Sequence, residues 1–237
     1  MHRAFLALLV LAAPATAEIR DAAGCKAAIA ASPETAREEA SIWKRLGGGT
    51  EAELCEAAAL EAMQAYGSAA LILTNLAENK RRLLAPALRV AIYEDAARLW
   101  LNDARPDLTL AILDNLDRVA PPRTEARLIL RARAQAAEGD HAGAAATLAA
   151  AEPGDAEAKA LRAAALRLGG DPQAARAEAE AALALAPDLP AGLFEAGAAA
   201  AETGDAAAAE ALWLRLIAAH PDHPLATDAR RNLAADG

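Results

Sequence analysis

The stretch "GDPQAARAEAEAALALAP" at residues 170–187 returns 34 residues later as "GDAAAAEALWLRLIAAHP" at 204–221. Each copy reads as a Gly-Asp turn, a helix and a closing proline. Glycine supplies the backbone freedom that a helix end commonly needs. Aspartate caps the helix that follows, and proline stops it because it cannot continue the hydrogen-bond ladder. One alanine-rich helical hairpin cannot bury its own apolar face, so copies must stack into a continuous core. The chain is thereby constrained to a tandem array of helical hairpins.

The frame extends in both directions. Residues 190–223 carry Gly197 midway in a first helix, Gly204-Asp205 at the turn, Ala209 and Trp213 in the second helix, and Pro221 after it. Residues 156–189 repeat this with Ala163, Gly170-Asp171, Ala175 and Pro187. Residues 125–155 supply Ala132, Gly139-Asp140 and Ala144, run about three residues short, and use Pro153 to close. Residues 90–123 fit more loosely, with Tyr93, Ala97, Trp100 and Pro121 in place but "DARPD" at the turn. There Pro106 holds the same position as Pro172, and both suit the first turn of a helix, where a missing N–H costs nothing. Residues 50–83 match at Ala57, Leu60, Tyr66 and Ala69, with Gln64-Ala65 at the turn. Thr50 and Glu53 have the spacing of a capping box for the first helix of that copy. Upstream, Ser32-Pro33 opens a helix, "PETAREEASIWKRL", that Gly47-Gly48-Gly49 ends. Beyond His223, "PLATDARRNLAADG" predicts a short closing helix with the polar outer face that a solenoid end requires.

These positions resemble the tetratricopeptide repeat (TPR), whose unit has about 34 residues with a small residue in the first helix, Gly-Asp at the turn, Ala in the second helix and Pro after it. The resemblance covers roughly residues 50–223 and is strongest from 125 onward. It implies an all-α, right-handed α-solenoid of about four to five hairpins. A helical extension over 18–49 precedes them, and a short capping helix and tail over 224–237 follow.

It also implies a concave groove lined by the first helices, where such proteins bind an extended peptide or a partner helix. The lining positions carry over to Glu94, Arg98, Leu101 and Asn102, then to Ile129 and Arg133. They continue with Glu157, Ala160 and Arg167, and then with Phe194 and Glu202. The carboxylate clamp that some family members use is not matched, because its sites hold Ile129, Leu130 and Arg133. Arg131 and Arg162 stand where the family carries a buried aliphatic; either they snorkel or the frame slips by one residue there. Arg98, Arg133 and Arg167 recur at 35- and 34-residue intervals on concave positions, so they read either as a positive stripe for partner carboxylates or as ordinary ion-paired surface.

The first seventeen residues read differently. His2 and Arg3, an apolar run from Ala4 to Ala13, Pro14 and Ala15-Thr16-Ala17 form the pattern of an export signal cut after Ala17. The run is too short for a permanent membrane span, so no membrane insertion is expected after cleavage. The wealth of Ala, Gly, Pro and Arg suggests a GC-rich bacterial genome and a periplasmic destination. Loss of Arg3 leaves 23 cations against 33 acids, a charge of −10, which repels nucleic acid and anionic lipid. The chain is 55% hydrophobic but only 3% aromatic, and alanine makes the difference. Alanine favours helices and lets them approach closely.

Cys25 and Cys55 are the only cysteines, and an even number in an exported chain argues for one disulfide. The alternative is lipidation at "AAGC", although Glu18, Arg20 and Asp21 separate that motif from the apolar run.

No constellation points to chemistry. His220-Pro221-Asp222-His223 offers two histidines and a carboxylate but lies in the loop after the last repeat, with no further ligand indicated, and "LGGGTEAEL" lacks the lysine of a phosphate loop. No catalytic, cofactor-binding or metal-binding residue is assigned, and no cofactor is expected. The resemblance and the export pattern together point to a non-enzymatic periplasmic scaffold for another envelope protein. Two alternatives stay open: an envelope-remodelling enzyme with its site in 18–89, and a lipid-anchored assembly factor.

Overall fold

The computed structural model describes residues 19–80, 83–120, 124–151 and 154–235. The expected export signal with its cut after Ala17 lies outside the described residues, as do Arg81, Arg82, Pro121 and Pro153. Every regular element among the described residues is an α-helix, and the chain divides into two compact units, one ending at Asn79 and the other beginning at Lys80.

The first unit holds α1 (Ala22–Ala31), α2 (Pro33–Arg45), α3 (Gly49–Ala62) and α4 (Tyr66–Asn79). Asp21 caps α1 by accepting from Gly24 N–H at 2.7 Å, and Ser32 caps α2 with Pro33 in its first turn. These caps satisfy donors that a helix start leaves orphaned. Thr50 and Glu53 do not form the expected capping box at α3. The N-cap there is Gly48, with no side-chain cap, and Thr50 already lies inside the helix. α1 packs on α2 and α3, and its Cys25 is disulfide-bonded to Cys55 of α3. Both sulfurs sit in a core with Ile19, Ala36, Ala40 and Ala59, against which Trp43 packs.

The second unit holds α5 (Pro86–Asn102), α6 (Pro106–Val119), α7 (Glu125–Ala137), α8 (His141–Leu148), α9 (Ala156–Leu168), α10 (Pro172–Leu185), α11 (Pro190–Glu202), α12 (Ala206–Ala219) and α13 (Pro224–Ala235). Each helix packs on its chain neighbour. The odd helices also touch one another: α5 with α7, α7 with α9, α9 with α11, and α11 with α13. The first helices of successive hairpins therefore form one continuous row, as stacking of hairpins demands.

One backbone feature sets the register of all five hairpins. At each turn one residue adopts a left-handed conformation: Gln64 (φ 60°), Ala104 (φ 56°), Gly139 (φ 84°), Gly170 (φ 89°) and Gly204 (φ 84°). The next residue then caps the second helix in three copies, where Asp140, Asp171 and Asp205 accept from Gly143, Ala174 and Ala208 N–H. Seven residues before each left-handed position lies a buried small residue: Ala57, Ala97, Ala132, Ala163 or Gly197. Five residues after it lies Ala69, Thr109, Ala144, Ala175 or Ala209, all buried. The two positions let paired helices close on each other. Thr109 is the exception to alanine, and its buried hydroxyl donates to the Ala97 and Arg105 carbonyls at 3.1 and 3.2 Å.

The shortened copy is visible as well. α8 spans 8 residues where α6, α10 and α12 span 14.

Candidate functional site

The row of first helices places several of the expected groove residues around one opening. Glu94 and Arg98 come from α5, Ile129 and Arg133 from α7, and Glu157 from the first turn of α9. Together with Asp95, Ala126, Arg127 and Leu130 they line a concave pocket of about 390 Å³. The helical spacing of 94 with 98 and of 126, 129, 130 and 133 explains this convergence, since residues three and four apart share a face.

The remaining expected positions lie elsewhere. Asn102 is exposed at the last turn of α5, and Ala160 is wholly buried, so it is core rather than lining. Phe194 packs half-buried against the α11–α12 core, and its carbonyl accepts from Trp213 Nε1 at 3.4 Å. Arg167 and Glu202 engage each other instead of presenting separate charges.

The three recurring arginines do not make a positive stripe, because each already holds a carboxylate of this chain. Arg98 Nη2 contacts Asp95 Oδ1 at 3.1 Å, and Arg133 Nη2 reaches Glu157 Oε1 at 2.8 Å. Both pairs are solvent-exposed, and such pairs contribute about 0–1 kcal/mol. Arg167 is different. Its Nε lies 2.8 Å from Glu195 Oε2 and its Nη1 lies 3.0 Å from Glu202 Oε1, with the Arg167 and Glu195 side chains only 16% and 11% exposed. Burial by itself would lower the Arg167 pKa; Glu195 and Glu202 outweigh it and hold the guanidinium above its ordinary value. This three-membered cluster ties α9 to α11.

Arg127 belongs to the site although its position gave no signal in the repeat frame. Only 6% of its side chain is exposed, yet Nε donates to Glu94 Oε1 at 2.7 Å and Nη1 to the Ala120 carbonyl at 2.6 Å. A guanidinium buried this deeply needs paired acceptors, and it fixes the Glu94 carboxylate at the pocket edge.

Arg131 and Arg162 also resolve as ion pairs. Arg131 bridges Asp114 and Asp117 of α6 at 2.8 and 2.9 Å, and Arg162 reaches Glu178 of α10 at 2.6 Å. The repeat frame runs through both without a slip, so they keep those positions, with side chains only 12% and 32% exposed and guanidinium heads held in ion pairs.

The two terminal histidines serve as internal links. His220 Nε2 lies 2.7 Å from the Asp188 carbonyl oxygen, and His223 Nδ1 accepts from Leu225 N–H at the start of α13. Among the described residues, no group of three or more His, Cys, Asp or Glu side chains stands where it could hold a metal ion, and no helix is long and apolar enough to cross a membrane.

Solved structures share this arrangement. YrrB, described as a TPR protein with an unusual peptide-binding site, is 16% identical, with coverage of 90% of this chain and 100% of that one and a TM-score of 0.56. The fold is a tetratricopeptide-type solenoid. BtubC from P. vanneervenii superposes with a TM-score of 0.60 at 18% identity, over 84% of this chain and 94% of that one. TTC0263, a thermophilic TPR protein of Thermus thermophilus, gives a TM-score of 0.57 at 21% identity, over 77% and 96% of the two chains. No protein-family model matches the chain, and no curated protein matches it in sequence. The solenoid is therefore recognised through its helix packing at identities where sequence comparison alone finds little.

Proposed function

We propose that this chain is a non-enzymatic scaffold of the periplasm that binds a peptide or helix of an envelope protein in the groove formed by α5, α7 and α9. The observation that carries the reading is the 390 Å³ concave pocket, which gathers Glu94, Arg98, Ile129, Arg133 and Glu157 from three successive first helices. A concavity with an apolar floor and a few polar groups is the ordinary form of a binding site. A ridge of rigid helices can present it without the entropy loss of ordering a loop. A solved protein of the same fold, YrrB, is described as having a peptide-binding site, which supports the class of ligand. The segment 18–89 contains no histidine, so an enzyme sited there would lack the commonest general base.

The test is capture of partners from a periplasmic extract on the immobilised chain, followed by a titration of the captured partner. Arg98→Ala combined with Arg133→Ala, with folding verified by circular dichroism, is expected to weaken that partner about tenfold, equivalent to about 1.4 kcal/mol. Unchanged affinity in a folded double variant would remove the groove from the binding surface. Intact-mass measurement on the exported protein checks the address: a chain beginning at Glu18 is expected, and acyl mass on Cys25 would favour the lipid-anchored alternative.

A further inference from the structure

The pocket formed by α5, α7 and α9 has a lining whose charges are already matched, and this decides what can enter it. Arg98 faces Asp95, Arg127 faces Glu94, and Arg133 faces Glu157. A carboxylate on a partner would have to displace one that is tethered to this chain. A tethered group competes at an effective concentration on the order of millimolar or more. The arginines are thus poor receptors for an acidic anchor.

Between the three pairs the lining is apolar: Ala126, Ile129 and Leu130, consecutive on one face of α7. Ala126 is exposed, and Ile129 and Leu130 are half-covered. A dry cavity of about 150 Å³ suffices to hold benzene, so about 390 Å³ accommodates an aromatic side chain together with part of the backbone that carries it. An ion pair uses a guanidinium in its plane and leaves the flat faces for stacking. Arg98 of α5 and Arg133 of α7, both lining the pocket and about half exposed, can therefore cover a ring while keeping Asp95 and Glu157. An aliphatic side chain would fill the same floor without that cation–π attraction.

We propose that this pocket is an aromatic-anchor subsite: it receives a Phe, Tyr or Trp side chain of the partner, seated on Ala126, Ile129 and Leu130 and flanked by Arg98 and Arg133. The proposal rests on the groove reading above, but its test needs no partner. N-acetyl-phenylalaninamide, N-acetyl-tryptophanamide, N-acetyl-leucinamide and N-acetyl-aspartamide are titrated separately into the isotopically labelled full-length chain. Methyl resonances of Ile129 and Leu130 and the Nε–H resonances of Arg98 and Arg133 are followed.

The expected result is saturable shifts with the two aromatic amides, with Kd on the order of 1 mM, a weaker response with the leucine amide and none with the aspartate amide. Ala126→Phe fills the pocket from an exposed helical position and is expected to weaken the aromatic fragments at least fivefold at unchanged thermal midpoint. Arg133→Gln, which keeps a polar side chain, is expected to weaken the aromatic amides more than the leucine amide. Equal shifts from the leucine and aromatic amides, a response to the aspartate amide alone, or aromatic shifts unaffected by Ala126→Phe would each overturn the proposal. If a captured partner depends on Arg98 and Arg133 while no aromatic fragment binds, the groove reading stands and the anchor fails. If no fragment binds and the partner ignores every groove variant, both fail.

Discussion

A Cβ atom placed on Gly197 would lie 2.5 Å from Nε1 of Trp213. The glycine of α11 and the tryptophan of α12 therefore occupy one shared volume. In the preceding hairpin the same two positions are Ala163 and Ala179, both fully buried in one cluster. The pair has traded size across the helix interface: a methyl group is removed from one helix and an indole fitted on the other. Interiors are packed too densely to accept the indole otherwise.

Gly197→Ala is expected to destabilise the second unit by about 1–3 kcal/mol through overpacking, against a helix-propensity gain of about 1 kcal/mol. Trp213→Ala should cost about 3–5 kcal/mol through the cavity it leaves. In the double variant Gly197→Ala becomes neutral or stabilising, because the ring it met is gone. Urea denaturation of the four proteins measures the coupling, and additivity within about 0.5 kcal/mol would show that the two residues do not share a volume.

Ala104 holds the left-handed turn position that glycine holds in the next three hairpins, with φ at 56°. An L-residue pays roughly 1–2 kcal/mol there, partly offset by the greater freedom of an unfolded glycine. Ala104→Gly is expected to raise stability by about 1 kcal/mol, and Gly170→Ala to lower it by a similar amount. Paired denaturant midpoints decide it: opposite signs are required, and equal signs would mean that the turn geometry does not set the energetics.

Reduction of Cys25–Cys55 reopens a loop of 30 residues. The chain-entropy model assigns such a loop roughly 3–4 kcal/mol. Because the bond joins α1 to α3, the loss is expected in the first unit, as a lowered first transition in differential scanning calorimetry and faster amide exchange in α1 and α2. A Cys25→Ser, Cys55→Ser variant should behave like the reduced protein, and a reductant-insensitive thermogram would refute the tie.

Asp205 is held below the ordinary carboxylate range, first by accepting from Ala208 N–H and then by Arg176. A depressed folded pKa contributes stability at pH values above the unfolded value, about 3.9, and that contribution is lost as pH falls through the folded value. Asn is also a good N-cap but carries no charge. Asp205→Asn is expected to lower the thermal midpoint at pH 7, with the difference from the parent closing below about pH 4. A difference that is constant down to pH 2 would assign the effect to packing.

The repeat frame was legible in the sequence because its determinants are local. Gly139-Asp140, Gly170-Asp171 and Gly204-Asp205 each write a left-handed turn and a cap within two residues. Proline marks the first turn of α6 and α10, and the small residues that let helices close recur at fixed distances from those turns. Where the turn was written without glycine, at Gln64 and Ala104, proximity to a strong frame was enough to align it. The start of α3 was not legible, since Gly48 and Thr50 are both acceptable caps and the conformations of the neighbouring glycines, Gly47 at φ 96° and Gly49 at φ 59°, decided between them.

The sequence showed that Arg98, Arg133 and Arg167 recur about one repeat apart, but only the tertiary structure decided where each stands and what it holds. Glu157 stands 24 residues from Arg133, Glu195 28 from Arg167, and Glu94 33 from Arg127. In a stacked solenoid, side chains about one repeat apart become neighbours, and an acidic chain offers several glutamates at nearly that distance. Which carboxylate meets which guanidinium is set by how closely adjacent hairpins pack, and that depends on buried alanines whose own pattern carries no charge. The same packing buried Arg127, a position the repeat frame does not single out, in the lining of the pocket.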